Sequence, residues 1–130
     1  MTSSRAGILL ADDDRVDAKA FLRALASLGA GHEVTVARDG VEAWALLTDA
    51  ARTPPALIVL DINMPRMGGL ELLRRIRDEP ALCGAPVFML TTSDDESDRY
   101  RAMQLNVAGY IVKGELGPGL KGALELAPGG

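Results

Sequence analysis

Ala56-Leu-Ile-Val-Leu-Asp-Ile-Asn-Met-Pro-Arg-Met-Gly-Gly69 is the stretch that decides how this chain is read. Five apolar residues, 56–60, run straight into Asp61. The run is short, partly β-branched, and bounded by Pro54-Pro55 before and Pro65 after. That pattern predicts a strand buried on both faces, as in a parallel sheet. Asp61 then falls at the strand's carboxyl end, the edge where open α/β sheets gather ligands and chemistry. A carboxylate beside so apolar a strand is costly without a partner, so other segments must supply one.

Working outward, residues 7–11 form a second apolar run that ends in Asp12-Asp13-Asp14. Helical spacing follows through Val16, Ala20, Phe21, Leu25 and Leu28, with Asp13 or Asp14 as cap and Gly29 as terminator. Residues 33–37 read as a strand, and Arg38-Asp39-Gly40 as a turn. Ala43, Leu47 and Ala50 repeat at helical spacing, closed by Thr53-Pro54-Pro55. Beyond the central strand, Leu70, Leu73 and Ile76 mark a helix that Glu79-Pro80 ends, with Glu71 and Arg75 paired on its polar side. Residues 86–90 are a fourth strand, ending in Thr91-Thr92-Ser93. The acidic run 94–98 starts a helix that Asn106 ends. Residues 109–112 are a fifth strand ending at Lys113, and 118–126 can hold one short helix, weakened by its glycines. The expectation is α/β: a flavodoxin-like (βα)5 doubly wound parallel sheet in the order 2-1-3-4-5. One domain is expected over residues 1–130, with its core at about 7–126.

Composition narrows the function. A net charge of −4 offers no general basic surface for nucleic acid. Arg74, Arg75 and Arg77 read as exposed helix surface, and His32 as a loop histidine. Cys83 is the sole cysteine, which excludes an intrachain disulfide and a Cys-based metal site. No run approaches a membrane span and Met1 to Gly7 has no apolar signal core, so a cytoplasmic location is expected.

Four of the five expected strands end in one chemical kit: Asp12 and Asp13, then Asp61, Thr91 and Lys113. In a parallel sheet those ends share an edge. Three crowded carboxylates cannot all stay ionised without a cation. Oxygen ligands of this kind suit Mg²⁺, which keeps several waters and takes phosphate as a further ligand. A hydroxyl and an ammonium are natural donors to phosphate oxygens.

These residues resemble the receiver domain of bacterial two-component response regulators. The likeness runs over about residues 7–126 and rests on Leu9-Leu-Ala-Asp-Asp13, Leu60-Asp-Ile-Asn-Met-Pro-Arg-Met-Gly-Gly69, Leu90-Thr91 and Gly109-Tyr-Ile-Val-Lys113. The resemblance implies that Asp61 accepts a phosphoryl group from a histidine kinase or a histidine phosphotransfer protein. It implies that Asp12, Asp13, Asp61 and the Asn63 carbonyl hold Mg²⁺, and that Lys113 pairs with Asp61 and later with the phosphoryl group. Thr91 would donate its hydroxyl to that group, and Tyr110 would be the aromatic switch that follows Thr91. Asn63 and Ser93 would tune the lifetime of the modified state. Such a chain is not an enzyme on other molecules; it catalyses only its own phosphorylation and dephosphorylation. Its output would be a downstream protein, or a homodimer through the face of helix 4, strand 5 and helix 5, without direct DNA binding.

Two departures stand out. Gly114 replaces the proline that usually follows the lysine, which suggests a loop freer or held in another way, and Gly68 replaces an acid. Thr91-Thr92-Ser93 and the missing proline also resemble single-domain regulators paired with phytochrome kinases. An aspartyl phosphatase is disfavoured because Asn63 stands where its second acid belongs. A flavin- or nucleotide-binding domain is disfavoured because Asp12-Asp13-Asp14 would repel a phosphate.

Overall fold

The computed structural model describes residues 7–29, 31–92 and 96–126. Five strands, β1 Gly7–Ala11, β2 Glu33–Ala37, β3 Leu57–Asp61, β4 Val87–Thr91 and β5 Gly109–Val112, alternate with helices. The helices are α1 Arg15–Ser27, α2 Gly40–Leu47, α3 Gly69–Asp78, α4 Glu96–Gln104 and α5 Leu116–Leu126. The strands form one sheet in the order β2-β1-β3-β4-β5, as expected from the pattern of runs. Every pairing is parallel, with Leu9 opposite Ile58 and Leu60 opposite Met89.

Alternation along the strands divides the core in two. Leu9, Ile58, Leu60 and Met89 face one way, onto Ala43, Leu72, Leu73 and Ile76 of α2 and α3. Ile8, Leu10, Val59, Leu90 and Ile111 face the other way, onto Phe21 and Leu25 of α1 and Leu120 of α5. β3 is buried along its whole length, which explains its unbroken apolar run. Gly119 lets α5 close on this second face, because a Cβ there would lie 2.9 Å from the Ile111 Cγ2. The glycines that weaken α5 as an isolated helix thus include one that its packing requires.

Several local readings need correction. Val16 lies at helical spacing yet is 74% exposed, and α1 buries Ala18, Phe21 and Leu25 instead. Leu28 is the C-cap and is exposed too. α2 ends at Leu47 and leaves Ala50 exposed; the Thr48 hydroxyl donates back to the Trp44 carbonyl at 2.8 Å. α5 begins at Leu116, two residues before Pro118, which the first turn of a helix tolerates.

Arg77 is the largest correction. It is half-buried, and its guanidinium reaches four backbone carbonyls: Ala85 at 2.7 Å, Leu105 at 2.8 Å, Asn106 at 2.9 Å and Cys83 at 3.0 Å. It ties the end of α3 to the entrance of β4 and the exit of α4. Asn106 ends that exit with φ of 57°, the left-handed conformation expected of it. Arg74 and Arg75 are exposed, as expected.

Candidate functional site

Each strand of the central three delivers its last side chain to one edge. Asp12 follows β1, Asp61 ends β3 and Thr91 ends β4; all three are buried, at 2%, 6% and 6% exposure. Lys113 follows β5, where it opens a single 3-10 turn, Lys113–Glu115. The chain leaves β5 through this turn. Asp13, Asp61, Thr91 and Lys113 line an open hollow of about 490 Å³, whose walls include Asp17, Asn63, Thr92 and Asp98; the buried Asp12 carboxylate lies against Asp13 and Asp61. A second hollow of about 450 Å³ at the opposite strand edge is lined by residues such as Leu9, Thr35, Leu46 and Pro54. It brings together no comparable set of reactive groups.

The loop between β3 and α3 shapes one wall. The Gly69 N–H donates to the Ile62 carbonyl at 3.0 Å, folding the chain back against the end of β3. A Cβ on Gly69 would collide with the Asp61 carbonyl oxygen, so this tight return requires glycine. Gly68 caps α3 without a side-chain hydrogen bond, and this is the local cost of the missing acid. Arg66, at φ of 65°, pins the loop to α2. Its Nε donates to Asp39 Oδ2 at 2.9 Å, while Asp39 Oδ1 accepts from the Glu42 N–H at 2.8 Å as the cap of α2. That capping bond and the Arg66 guanidinium hold the Asp39 carboxyl below the usual aspartate range. Sequence reading saw Asp39 only as part of a turn and missed Arg66.

Asp12, Asp13 and Asp61 each offer a carboxylate oxygen within 4.8 Å of the other two. Asp12 Oδ2 is buried and accepts no hydrogen bond. An orphaned anionic oxygen facing two further carboxylates is what an oxygen-loving divalent cation would satisfy, so the residues fit such an ion. Asp12 and Asp61 would be its buried ligands and Asp13 an exposed one. Burial, with the Asp61 charge added, pushes the Asp12 carboxyl up to about 7 against the opposing Asp14 N–H and Lys113. Burial also raises Asp61, although Lys113 opposes it.

Lys113 is surrounded by acids. Its Nζ lies 2.6 Å from Asp17 Oδ2, 3.4 Å from Asp61 Oδ2 and 3.9 Å from Asp12 Oδ2. Burial alone would lower this ammonium, but the Asp17 hydrogen bond and the charges of Asp61 and Asp12 outweigh it and hold it above the ordinary lysine value. Asp17 was not foreseen. Its signal was its place three residues after the α1 cap, Asp14, which turns it over the same edge. Asn63 is exposed, and its N–H points at Asp61 Oδ1 from 3.4 Å. Tyr110 packs against the α2–α4 side of the core. Its hydroxyl donates to the Arg99 carbonyl at 2.7 Å, with the Arg99 guanidinium 5.0 Å from the ring centre. Ser93 lies outside the described residues.

The chain matches the response regulator receiver domain family over residues 8–124. It belongs to that family. It is 36% identical over 110 residues to response regulator Rcp1 of Synechocystis sp., covering 82% of this chain and 75% of that protein. Chemotaxis protein CheY1 of Helicobacter pylori is 33% identical over 122 residues, covering 94% and 96% of the two chains. Among solved structures, the phosphorylated cyanobacterial phytochrome response regulator RcpA superposes with a TM-score of 0.84 at 35% identity, over 95% of this chain and 94% of that one. The Mn²⁺-bound form of Rcp1 gives a TM-score of 0.77 at 34% identity, over 82% and 80%. A receiver that resembles phytochrome regulators is what Thr91-Thr92-Ser93 and Gly114 suggested. The acid cluster fits the divalent metal and the acceptor aspartate of receiver domains.

The raised Asp12 carboxyl sets a pH dependence. A divalent cation must displace its proton, so affinity is expected to weaken about tenfold per unit below pH 7 and to level off above it. Calorimetric Mg²⁺ titrations at pH 6 and pH 8 check this; equal affinities would refute it. In the absence of metal the sign reverses. The folded state binds a proton that the unfolded chain releases, so this group's stability contribution, full below the usual aspartate range, is lost as pH rises through about 7.

Proposed function

We propose that this chain is a receiver that takes a phosphoryl group onto Asp61 from a histidine kinase, of the kind paired with phytochromes, or from a histidine phosphotransfer protein. The observation that carries this reading is the meeting of Asp61 with Asp13, Thr91 and Lys113 around one hollow, with the buried Asp12 carboxylate against the same cluster. An Asp61 oxygen attacks phosphorus, and the bond from phosphorus to the donor's imidazole nitrogen breaks, leaving its electron pair on that nitrogen. Mg²⁺, when bound, would neutralise phosphoryl charge. Asp12, Asp13, Asp61 and the Asn63 carbonyl are the residues to hold it. The Lys113 ammonium screens the incoming oxygens, and the Thr91 hydroxyl donates to one of them. Such catalysis is positioning and charge stabilisation, which suits groups fixed at the ends of rigid strands. The chain thus works only on its own aspartate and not as an enzyme for other substrates.

The modified Asp61 adds charge and acceptors beside Thr91, whose strand neighbour in register is Val112. Tyr110, two residues before, links β5 to α4 through Arg99. A pull on Thr91 and Lys113 therefore biases the packing of α4, β5 and α5, a population shift between two arrangements. Tyr100 and Met103 of α4 are 62% and 65% exposed and supply apolar surface for a downstream protein or a second copy. Asn63, on the wall of the hollow, and Ser93 tune hydrolysis of the phosphoryl group. A cytoplasmic location is part of this proposal, and no helix of the described residues is long and apolar enough to cross a membrane. Incubation with acetyl phosphate and Mg²⁺ should give a mass increase of one phosphoryl group, stable in acid and lost in base. A wild-type protein that stays unmodified would overturn the proposal.

A further inference from the structure

The Lys113 ammonium has its shortest contact outside the acid cluster. Asp17 Oδ2 accepts from it at 2.6 Å, while Asp61 Oδ2 lies at 3.4 Å and Asp12 Oδ2 at 3.9 Å. Three carboxylates compete for one ammonium, and the one on α1 holds it. Asp17 is well fixed for this task. It sits in the first turn of α1, and its N–H donates to Asp14 Oδ1 at 3.2 Å. Lys113 is not held as firmly from its own segment. It opens a single 3-10 turn, and a Cβ on the next residue, Gly114, would meet nothing within 4 Å.

The position of that ammonium matters to the hollow. Asp12 Oδ2 is buried and accepts no hydrogen bond. Without Asp17, the nearest acceptors for the ammonium are that oxygen and Asp61, and a lysine settled there would neutralise the same carboxylates a divalent cation needs. Lysine and cation are alternatives for one pair of oxygens.

We propose that Asp17 is a positioning residue: it seats the Lys113 ammonium at the rim of the hollow and thereby keeps Asp12 and Asp61 open to the divalent cation. This rests on reading the hollow as a divalent-cation site. On phosphoryl uptake the same seat keeps the ammonium within reach of the new oxygens, so Asp17 acts through Lys113 and touches no reacting atom.

A double-mutant cycle on Mg²⁺ affinity tests this, read by calorimetry and by amide NMR shifts at pH 8. Asp17→Ala, which removes the acceptor, is expected to weaken Mg²⁺ binding roughly tenfold, the size of coupling seen between close charged pairs. In a Lys113→Met background the same change is expected to cost less than about twofold, because only long-range charge remains. Asp17→Leu, which likewise offers the ammonium no acceptor, should repeat both results if the alanine variant folds poorly. Equal losses in the two backgrounds would mean that Asp17 contributes charge alone and would overturn its role. So would an unchanged affinity in Asp17→Ala. A wild-type protein that binds no Mg²⁺ would instead remove the cation reading on which the role depends.

Discussion

Asp61→Asn is expected to abolish phosphoryl uptake from acetyl phosphate and to make the metal-free protein more stable. The amide offers no nucleophilic oxygen and no charge to a cation, while its shape matches the carboxylate. The gain in stability follows from the site's electrostatics. Asp61 is 6% exposed, and burial holds its carboxyl above the ordinary aspartate range. A buried anion beside Asp12 therefore costs folding free energy near neutral pH. Lys113 does not lose its main partner, because Asp17 holds it at 2.6 Å. The expected gain is about 1 kcal/mol, seen as a rise of a few degrees in Tm without metal. Intact mass after acetyl phosphate treatment and a thermal melt check the two halves. Full modification of the variant would remove Asp61 as acceptor; a Tm several degrees lower would show that the site is not strained.

Arg77→Ala is expected to be the most destabilising of the changes considered, although Arg77 touches no site residue. Its guanidinium satisfies the carbonyls of Cys83, Ala85, Leu105 and Asn106, from two connections that meet beside α3. Hydrogen bonds from a charged donor contribute about 1.5–3 kcal/mol each, and those to exposed carbonyls contribute less because water replaces them. The total loss should be about 4 kcal/mol, a fall in Tm on the order of 10 °C for a chain of this size. Arg77→Lys keeps the charge but not the fork, and should recover less than half. Urea unfolding measures both. A loss below about 1 kcal/mol for Arg77→Ala would show that water satisfies those carbonyls equally well.

The apolar runs and their spacing carried most of the fold. β1, β2 and β5 lie where the runs placed them, and β4 is shifted by one residue because Pro86 has no N–H to give a ladder. Errors collected where a local signal met a tertiary condition. Val16 has the right spacing for a core position, yet it is 74% exposed. Nothing in the sequence near Arg77 reveals that two distant carbonyl pairs converge on it. Arg66 likewise depends on where Asp39 lies, across the β3–α3 loop and 27 positions away.

By itself the sequence determined the alternation of strands and helices and the identity of the groups at the strand ends. Strand burial and helical period are local properties, and a parallel sheet then brings Asp12, Asp61, Thr91 and Lys113 to one edge by topology alone. Only the tertiary structure decided which partners those groups take. Lys113 could have paired with any of several acids, and distance chose Asp17, on α1, first. Hydrogen bonds weaken steeply away from their ideal distances and angles. Their pattern therefore depends on how helices are seated on the sheet, which apolar periodicity leaves open.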